Sequence, residues 1–222
     1  MLMDWFRLRR AHSQRQEALD DAGWQQLAFT VLDLETSGLE PRRHHIVQIG
    51  AARIERQAIP LGGLWSGLIN GEGERSLESL LIHEISPGRQ LTGRSQNEVV
   101  AEFAQYAQDS IWVAWDADFD LSFLDPAWQA AGMASPRPLC LDLAELAACL
   151  LPNWHGRRHG LDDCLAYCKL PRMDRHDALG DALASAQLLQ MLMSRAAQNG
   201  VMTLGQARRA MEHQRARRAV SF

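Results

Sequence analysis

The chain has 222 residues and a mass of 24.9 kDa, enough for one full domain with extensions and too little for two ordinary ones. Hydrophobic residues make up 46% and charged residues 23%, a balance that excludes wholesale disorder, and no run approaches the ~18 unbroken apolar residues of a membrane span. The formal charge of −4 is unevenly spread: from Gly200 to Phe222 five arginines face the single acid Glu212, a local +4, which leaves −8 on residues 1–199.

Residues 1–27 read as an N-terminal helical extension, with Leu2, Trp5 and Phe6 at helical spacing among Arg7, Arg9 and Arg10. Positive charge there is not followed by an apolar run, so the start is not a secretory signal. Cys140, Cys149, Cys164 and Cys168 form no Cys-x-x-Cys pair and read as reduced core thiols of a cytoplasmic protein. Phe29 to Glu35 alternates and is rich in β-formers, which predicts a strand. Ile46–Ile54 and Leu64–Ile69 predict a second and third strand. Ser95-Gln-Asn-Glu98 is a capping box opening a helix through about Ala107. Ile111–Trp115 predicts a short buried strand. Helices are expected at Phe119–Ala131, Leu141–Leu150, Leu161–Cys168 and Ala178–Ala196. Strands first as a meander, then alternating with helices, predict an α/β domain with a mixed sheet over residues 28–197. Residues 198–222 form a basic C-terminal helix or tail. Val201, Leu204, Ala207 and Met211 share one helical face, which fits either a helix docked on the domain or an arm that tracks phosphates.

Three groups of acids stand out. On a strand, residues two apart point the same way, so Phe29, Val31, Asp33 and Glu35 share a face. Two carboxylates beside two apolar residues are costly unless a positive charge neutralises them or the strand has already ended. Asp116, Asp118 and Asp120 follow the Ile111–Trp115 strand. The first two suit a helix N-terminus, where acids complement the dipole, but Asp120 lies inside an apolar stretch. In Arg175-His-Asp-Ala-Leu-Gly-Asp-Ala182, His176 and Asp181 lie about 140° apart round a helix. They converge only if His176 sits on the incoming loop and Asp181 on the helix.

In this order and spacing the residues resemble the DEDDh branch of the DnaQ-like 3′–5′ exonucleases, the family of the proofreading epsilon subunit of bacterial DNA polymerase III. The first motif, Asp-x-Glu-Thr-Thr/Ser-Gly, matches Asp33-Leu-Glu35-Thr36-Ser37-Gly38. The second, Phe-Asp-x-x-Phe, matches Phe119-Asp120-Leu-Ser-Phe123. The third, His-x-x-x-x-Asp, matches His176 to Asp181. Ile46-Val-Gln-Ile-Gly50 and His159-Gly-Leu-Asp-Asp163 are also family-like, and the resemblance covers roughly residues 28–195. It departs at Trp115-Asp116, where the family usually carries His-Asn; Trp115 suits either core packing or a stacking surface.

The resemblance implies a ribonuclease H-like fold and a two-metal hydrolysis of phosphodiesters. Asp33, Glu35, Asp120 and Asp181 would ligate two Mg²⁺ or Mn²⁺ ions, hard cations suited to carboxylate oxygens. His176 would be the general base, and Thr36 and Phe119 would hold the terminal nucleotide. The implied activity is removal of nucleoside 5′-monophosphates from a single-stranded 3′ end, DNA being favoured over RNA. The alternatives are RNA 3′-end trimming, or a non-catalytic nucleic-acid- or polymerase-binding module on the same fold. A single-stranded 3′ end is the expected partner and a DNA polymerase a second one. No membrane association is expected, and the sequence leaves the oligomeric state open.

Overall fold

The computed structural model describes residues 16–70, 85, 87–133, 139–154, 159–171 and 177–220. Among these, five strands form one mixed sheet: β1 (Ala28–Thr36), β2 (Ile46–Glu55), β3 (Leu64–Leu68), β4 (Ile111–Ala114) and β5 (Cys140–Asp142), in the order β3-β2-β1-β4-β5. β1 is antiparallel to β2 and parallel to β4; β2–β3 is antiparallel and β4–β5 parallel. The meander supplies three strands, β1 to β3, and the strand–helix alternation supplies β4 and β5.

Helices cover both faces. α1 (Pro87–Gln90), α2 (Gln96–Tyr106) and α3 (Ala117–Ala130) precede β5 or flank β4; α4 (Leu143–Leu150), α5 (Leu161–Cys168), α6 (Ala178–Gln198) and α7 (Leu204–Val220) follow. The capping box predicted at Ser95 forms, with Ser95 Oγ accepting from Glu98 N–H at 3.3 Å and Glu98 Oε2 accepting from Ser95 N–H at 3.0 Å.

The period-2 alternation of β1 divides the core. Phe29 and Val31 join Leu143, Leu146, Leu188, Leu189 and Leu192 under α4 and α6, whereas Leu32 and Leu34 join Val99, Phe103, Leu124 and Trp128 under α2 and α3. Phe103, Trp112 and Trp128 close the second layer, with Trp112 5.0 Å and 5.2 Å from the other two rings.

The two ends of the described chain are tied over the first layer. Trp24, 3% exposed, donates its indole N–H to the Val201 carbonyl at 2.9 Å. The Arg208 guanidinium is 2.9 Å from both carboxylate oxygens of Asp20, in a part-buried pair. Leu204, Ala207 and Met211 are buried in the core, so α7 is a docked helix. Residues 16–21 are helical; the expected helical spacing of Leu2, Trp5 and Phe6 lies outside the described residues.

One element differs from expectation. The helix predicted from Leu141 starts at Leu143, because Cys140–Asp142 extends the sheet beyond β4. Three residues are too few to show a period of two, and Leu141 continues the apolar run of the helix. The Asp142 carboxylate marks the boundary: it caps α4 by accepting from Glu145 N–H at 2.8 Å. Among the described residues no helix is long and apolar enough to cross a membrane.

Candidate active site

β1 delivers Asp33 and Glu35 to the sheet face covered by α6. Asp33 pairs across to Gly50 and Glu35 to Gln48 on β2. Gly50 lets α6 descend onto the sheet: a Cβ there would lie 2.1 Å from Ala178 C and 2.3 Å from Leu179 N. That approach lowers the first turn of α6, which carries Asp181. As a result, one carboxylate oxygen from each of Asp33, Glu35 and Asp181 lies within 4.8 Å of the other two.

Such a cluster resists ionisation. Burial raises the Asp33 carboxyl well above its ordinary range, and the charges of Asp120, Glu35, Asp181 and Asp177 add to the effect. Burial and then the Asp181 and Asp177 charges push Glu35 up to about 8. Carboxylates packed this way need protons or a cation. The donors are all hard oxygens from side chains on one strand and one helix, which fits a hard divalent cation.

Asp120 enters from α3 and is 6% exposed. It lies outside the 4.8 Å group, yet it is the foremost neighbouring charge acting on Asp33. Its own carboxyl is raised by burial, then by Asp116 and Asp142, against a lowering backbone hydrogen bond. Asp142 also accepts from Ala117 N–H at 3.4 Å, so one carboxylate ties the start of α3 to the start of α4.

Thr36 ends β1 and donates its hydroxyl to the Gly38 carbonyl at 2.8 Å. Phe119 is half-buried, its ring 5.1 Å from Phe123. Beyond them an open groove of about 440 Å³ runs between the loop after β1 and α3, lined by Leu39, Glu40, Pro41, Arg42, Ser122 and Pro126. Leu39 is 73% exposed there, and Arg42 has no ion pair among the described residues. Trp115 packs partly into the core beneath α4 and α6. Asp116 occupies the N-cap position of α3 without a side-chain capping bond. His176 lies outside the described residues; the next residue, Asp177, caps α6 by accepting from Gly180 N–H at 3.4 Å.

Asp142 and Asp177 are site-supporting residues that the sequence reading passes over. Both carry a detectable signal, an aspartate immediately ahead of an apolar helical run.

Comparison with known proteins places this arrangement. The RNase_T model, described as an exonuclease, matches residues 30–189, from β1 into α6. The chain belongs to this exonuclease family. It is 31% identical over 194 residues to a DNA polymerase III subunit epsilon-like protein of Rhodobacter capsulatus, covering 86% of this chain and 27% of that one. It is 30% identical over 174 residues to DNA polymerase III subunit epsilon of Rickettsia conorii, covering 73% of this chain and 72% of that one. The chain thus spans about a quarter of the Rhodobacter relative. In structure it resembles E. coli exonuclease I, solved in complex with a dT13 oligonucleotide, with a TM-score of 0.67 at 16% identity over 78% of this chain and 42% of that one. The expected ribonuclease H-like fold is therefore the one observed.

Proposed function

We propose that the protein is a metal-dependent 3′–5′ exonuclease that shortens single-stranded DNA and releases nucleoside 5′-monophosphates. The observation that carries this reading is the meeting of Asp33, Glu35 and Asp181 within 4.8 Å, in a chain of the exonuclease family. Asp33, Glu35, Asp120 and Asp181 would hold two divalent cations, Mg²⁺ or Mn²⁺. The chemistry such cations would supply is compensation of the acids' charge and stabilisation of the attacking and leaving oxygens of an in-line displacement.

The protein's own groups do the rest. Asp120 brings a buried carboxylate from the opposite side of the sheet's end, so the substrate phosphate meets acids from both β1 and α3. Thr36 and Phe119 hold the terminal nucleotide, and the groove past Leu39 gives the strand a path outward, with Arg42 available to a phosphate. His176 takes a proton from the attacking water on a ring nitrogen, an exchange that imidazole chemistry suits close to neutral pH. The water oxygen bonds to phosphorus, the P–O3′ bond breaks, and the departing O3′ takes up a proton from solvent, so the shortened strand leaves with a 3′-hydroxyl.

The names of the relatives attach them to DNA polymerase III, and exonuclease I is solved with a DNA oligonucleotide, which supports DNA as substrate and a polymerase as partner. The test is digestion of 5′-labelled single-stranded DNA and RNA of matched sequence with Mg²⁺ or Mn²⁺, beside Asp33→Ala and His176→Ala. A ladder of 3′-shortened DNA that both substitutions abolish is expected. Faster cleavage of RNA would reassign the substrate, and no ladder on either polymer with binding retained would leave a binding module.

A further inference from the structure

The family-like stretch Ile46–Gly50 contains one polar side chain, Gln48, that has no part in the chemistry above. Gln48 is the third residue of β2, 3% exposed, and pairs across the sheet with Glu35. Its Nε2 donates to Asp177 Oδ1 at 2.9 Å and to Ser66 Oγ at 3.0 Å. A carboxylate only accepts, so the bond to Asp177 fixes which end of the amide is nitrogen. The other end, Oε1, is buried without a hydrogen-bond partner. An apolar side chain would avoid that cost, so a glutamine is useful here only for its N–H donors.

Asp177 is where those donors act. Besides Gln48, it is engaged by Gly180 N–H, through the helix cap, and by the Arg89 guanidinium at 3.9 Å. It stands next to His176 in sequence and in the turn before Asp181. Its position therefore sets both the start of α6 and the point where the chain continues from His176.

We propose that Gln48 is a positioning residue: its amide N–H groups clamp Asp177 and so hold the beginning of α6 in register with Asp33 and Glu35. The inference rests on the exonuclease reading and assigns Gln48 no contact with substrate. Its effect falls on the rate of the bound complex rather than on capture of the strand, because a small displacement of reacting groups slows chemistry by up to about a hundredfold.

The experiment measures kcat and KM on a 5′-labelled single-stranded DNA with Mg²⁺ for wild type, Gln48→Met, Asp177→Ala and the double variant. Gln48→Met is expected to lower kcat by about 10- to 100-fold with KM within about threefold. The double variant should be no slower than the slower single one, since both break the same contact. Asp177→Asn, which keeps an acceptor and a helix cap, should recover most of the rate lost in Asp177→Ala. A kcat for Gln48→Met within twofold of wild type, or losses that multiply in the double variant, would overturn the proposal. If Gln48→Met does not melt cooperatively, the Asp177 pair decides: equal rates for Asp177→Ala and Asp177→Asn overturn it. Wild type without a ladder would defeat the exonuclease reading itself, whereas an active wild type with an unimpaired Gln48→Met defeats only the role of Gln48.

Discussion

Gly50 lies so close to Ala178 that a Cβ on it would sit 2.1 Å from the Ala178 carbonyl carbon and 2.2 Å from its oxygen. Both are backbone atoms of the first turn of α6 and cannot swing aside as a side chain would. The register of β2 places this contact directly opposite Asp33. Helix-to-sheet distance and carboxylate-to-carboxylate distance are thus governed by the same glycine. Gly50→Ala should lift the start of α6, carrying Asp181 away from Asp33 and Glu35. We expect a stability loss of about 1–3 kcal/mol from overpacking and a fall of at least tenfold in nuclease rate. Denaturant melts beside oligonucleotide digestion check it; a variant with wild-type rate would show that α6 tolerates the displacement.

The raised carboxyls predict an unusual pH dependence for the metal-free protein. Glu35 has an ordinary value of 4.5 and reaches about 8 in the fold. Between those values the folded chain holds the proton and the unfolded chain does not, so folding takes up protons and stability falls as pH rises. The contribution is fully present below 4.5 and lost as pH passes through about 8; Asp33 and Asp120 are raised in the same direction. In EDTA the melting temperature should therefore be higher at pH 5.5 than at pH 8. Millimolar Mg²⁺ should raise it more at pH 8, where protons no longer compete for the carboxylates. A metal-free melting temperature that climbs from pH 5.5 to 8 would contradict the cluster's electrostatics.

Asp33→Asn separates stability from function at the same position. It removes the carboxylate that feels four neighbouring acids. At pH 8 without metal the variant should melt above wild type, by about 2–4 °C per kcal/mol of repulsion relieved in a domain of this size. The same change takes a carboxylate from the proposed cation site, so the Mg²⁺-induced shift should shrink and the digestion rate should fall by about two orders of magnitude or more. Thermal scans with and without Mg²⁺ read the first two effects, and a time course of ladder formation reads the third.

What the sequence reveals depends on the range over which each feature is written. Asp33 and Glu35 are two residues apart on one strand, so local periodicity exposes both, whereas Asp181 is marked by the His176–Asp181 motif of the family resemblance. Their meeting depends on Gly50, whose role shows only once α6 is laid across β2. The Gln48–Asp177 bond joins residues 129 positions apart, and nothing local to either announces it. β5 escaped because a three-residue strand merges into the apolar run of α4. Trp115 suits either packing or stacking by sequence, and in the fold its partly buried ring packs against the core beneath α4 and α6. Short-range chemistry is visible in the chain, while the supports that bring it together are properties of the tertiary contacts.

The arginines of the C-terminal segment and Arg42 should differ in their effect on nucleic-acid binding. Arg208 is engaged by Asp20, and Arg215 by Glu145 at the body of the domain. Gln214 donates to the Ala148 carbonyl at 2.9 Å, further fastening α7 to α4. Deleting residues 213–222 leaves the buried Leu204, Ala207 and Met211 in place and removes Arg215, which is paired with Glu145, together with Arg217 and Arg218. Arg42, by contrast, is exposed on the groove beside Leu39 and Ser122. A phosphate contact releases counterions, giving a salt slope of roughly 0.7 per contact on a single strand. Arg42→Ala should reduce the slope of log Kd against log salt by about that amount and weaken binding without regard to base sequence. The deletion should leave the slope unchanged. Fluorescence anisotropy of a labelled oligonucleotide across a salt series, in EDTA to prevent cleavage, measures both; a slope lowered by the deletion and untouched by Arg42→Ala would move the phosphate path from the groove to α7.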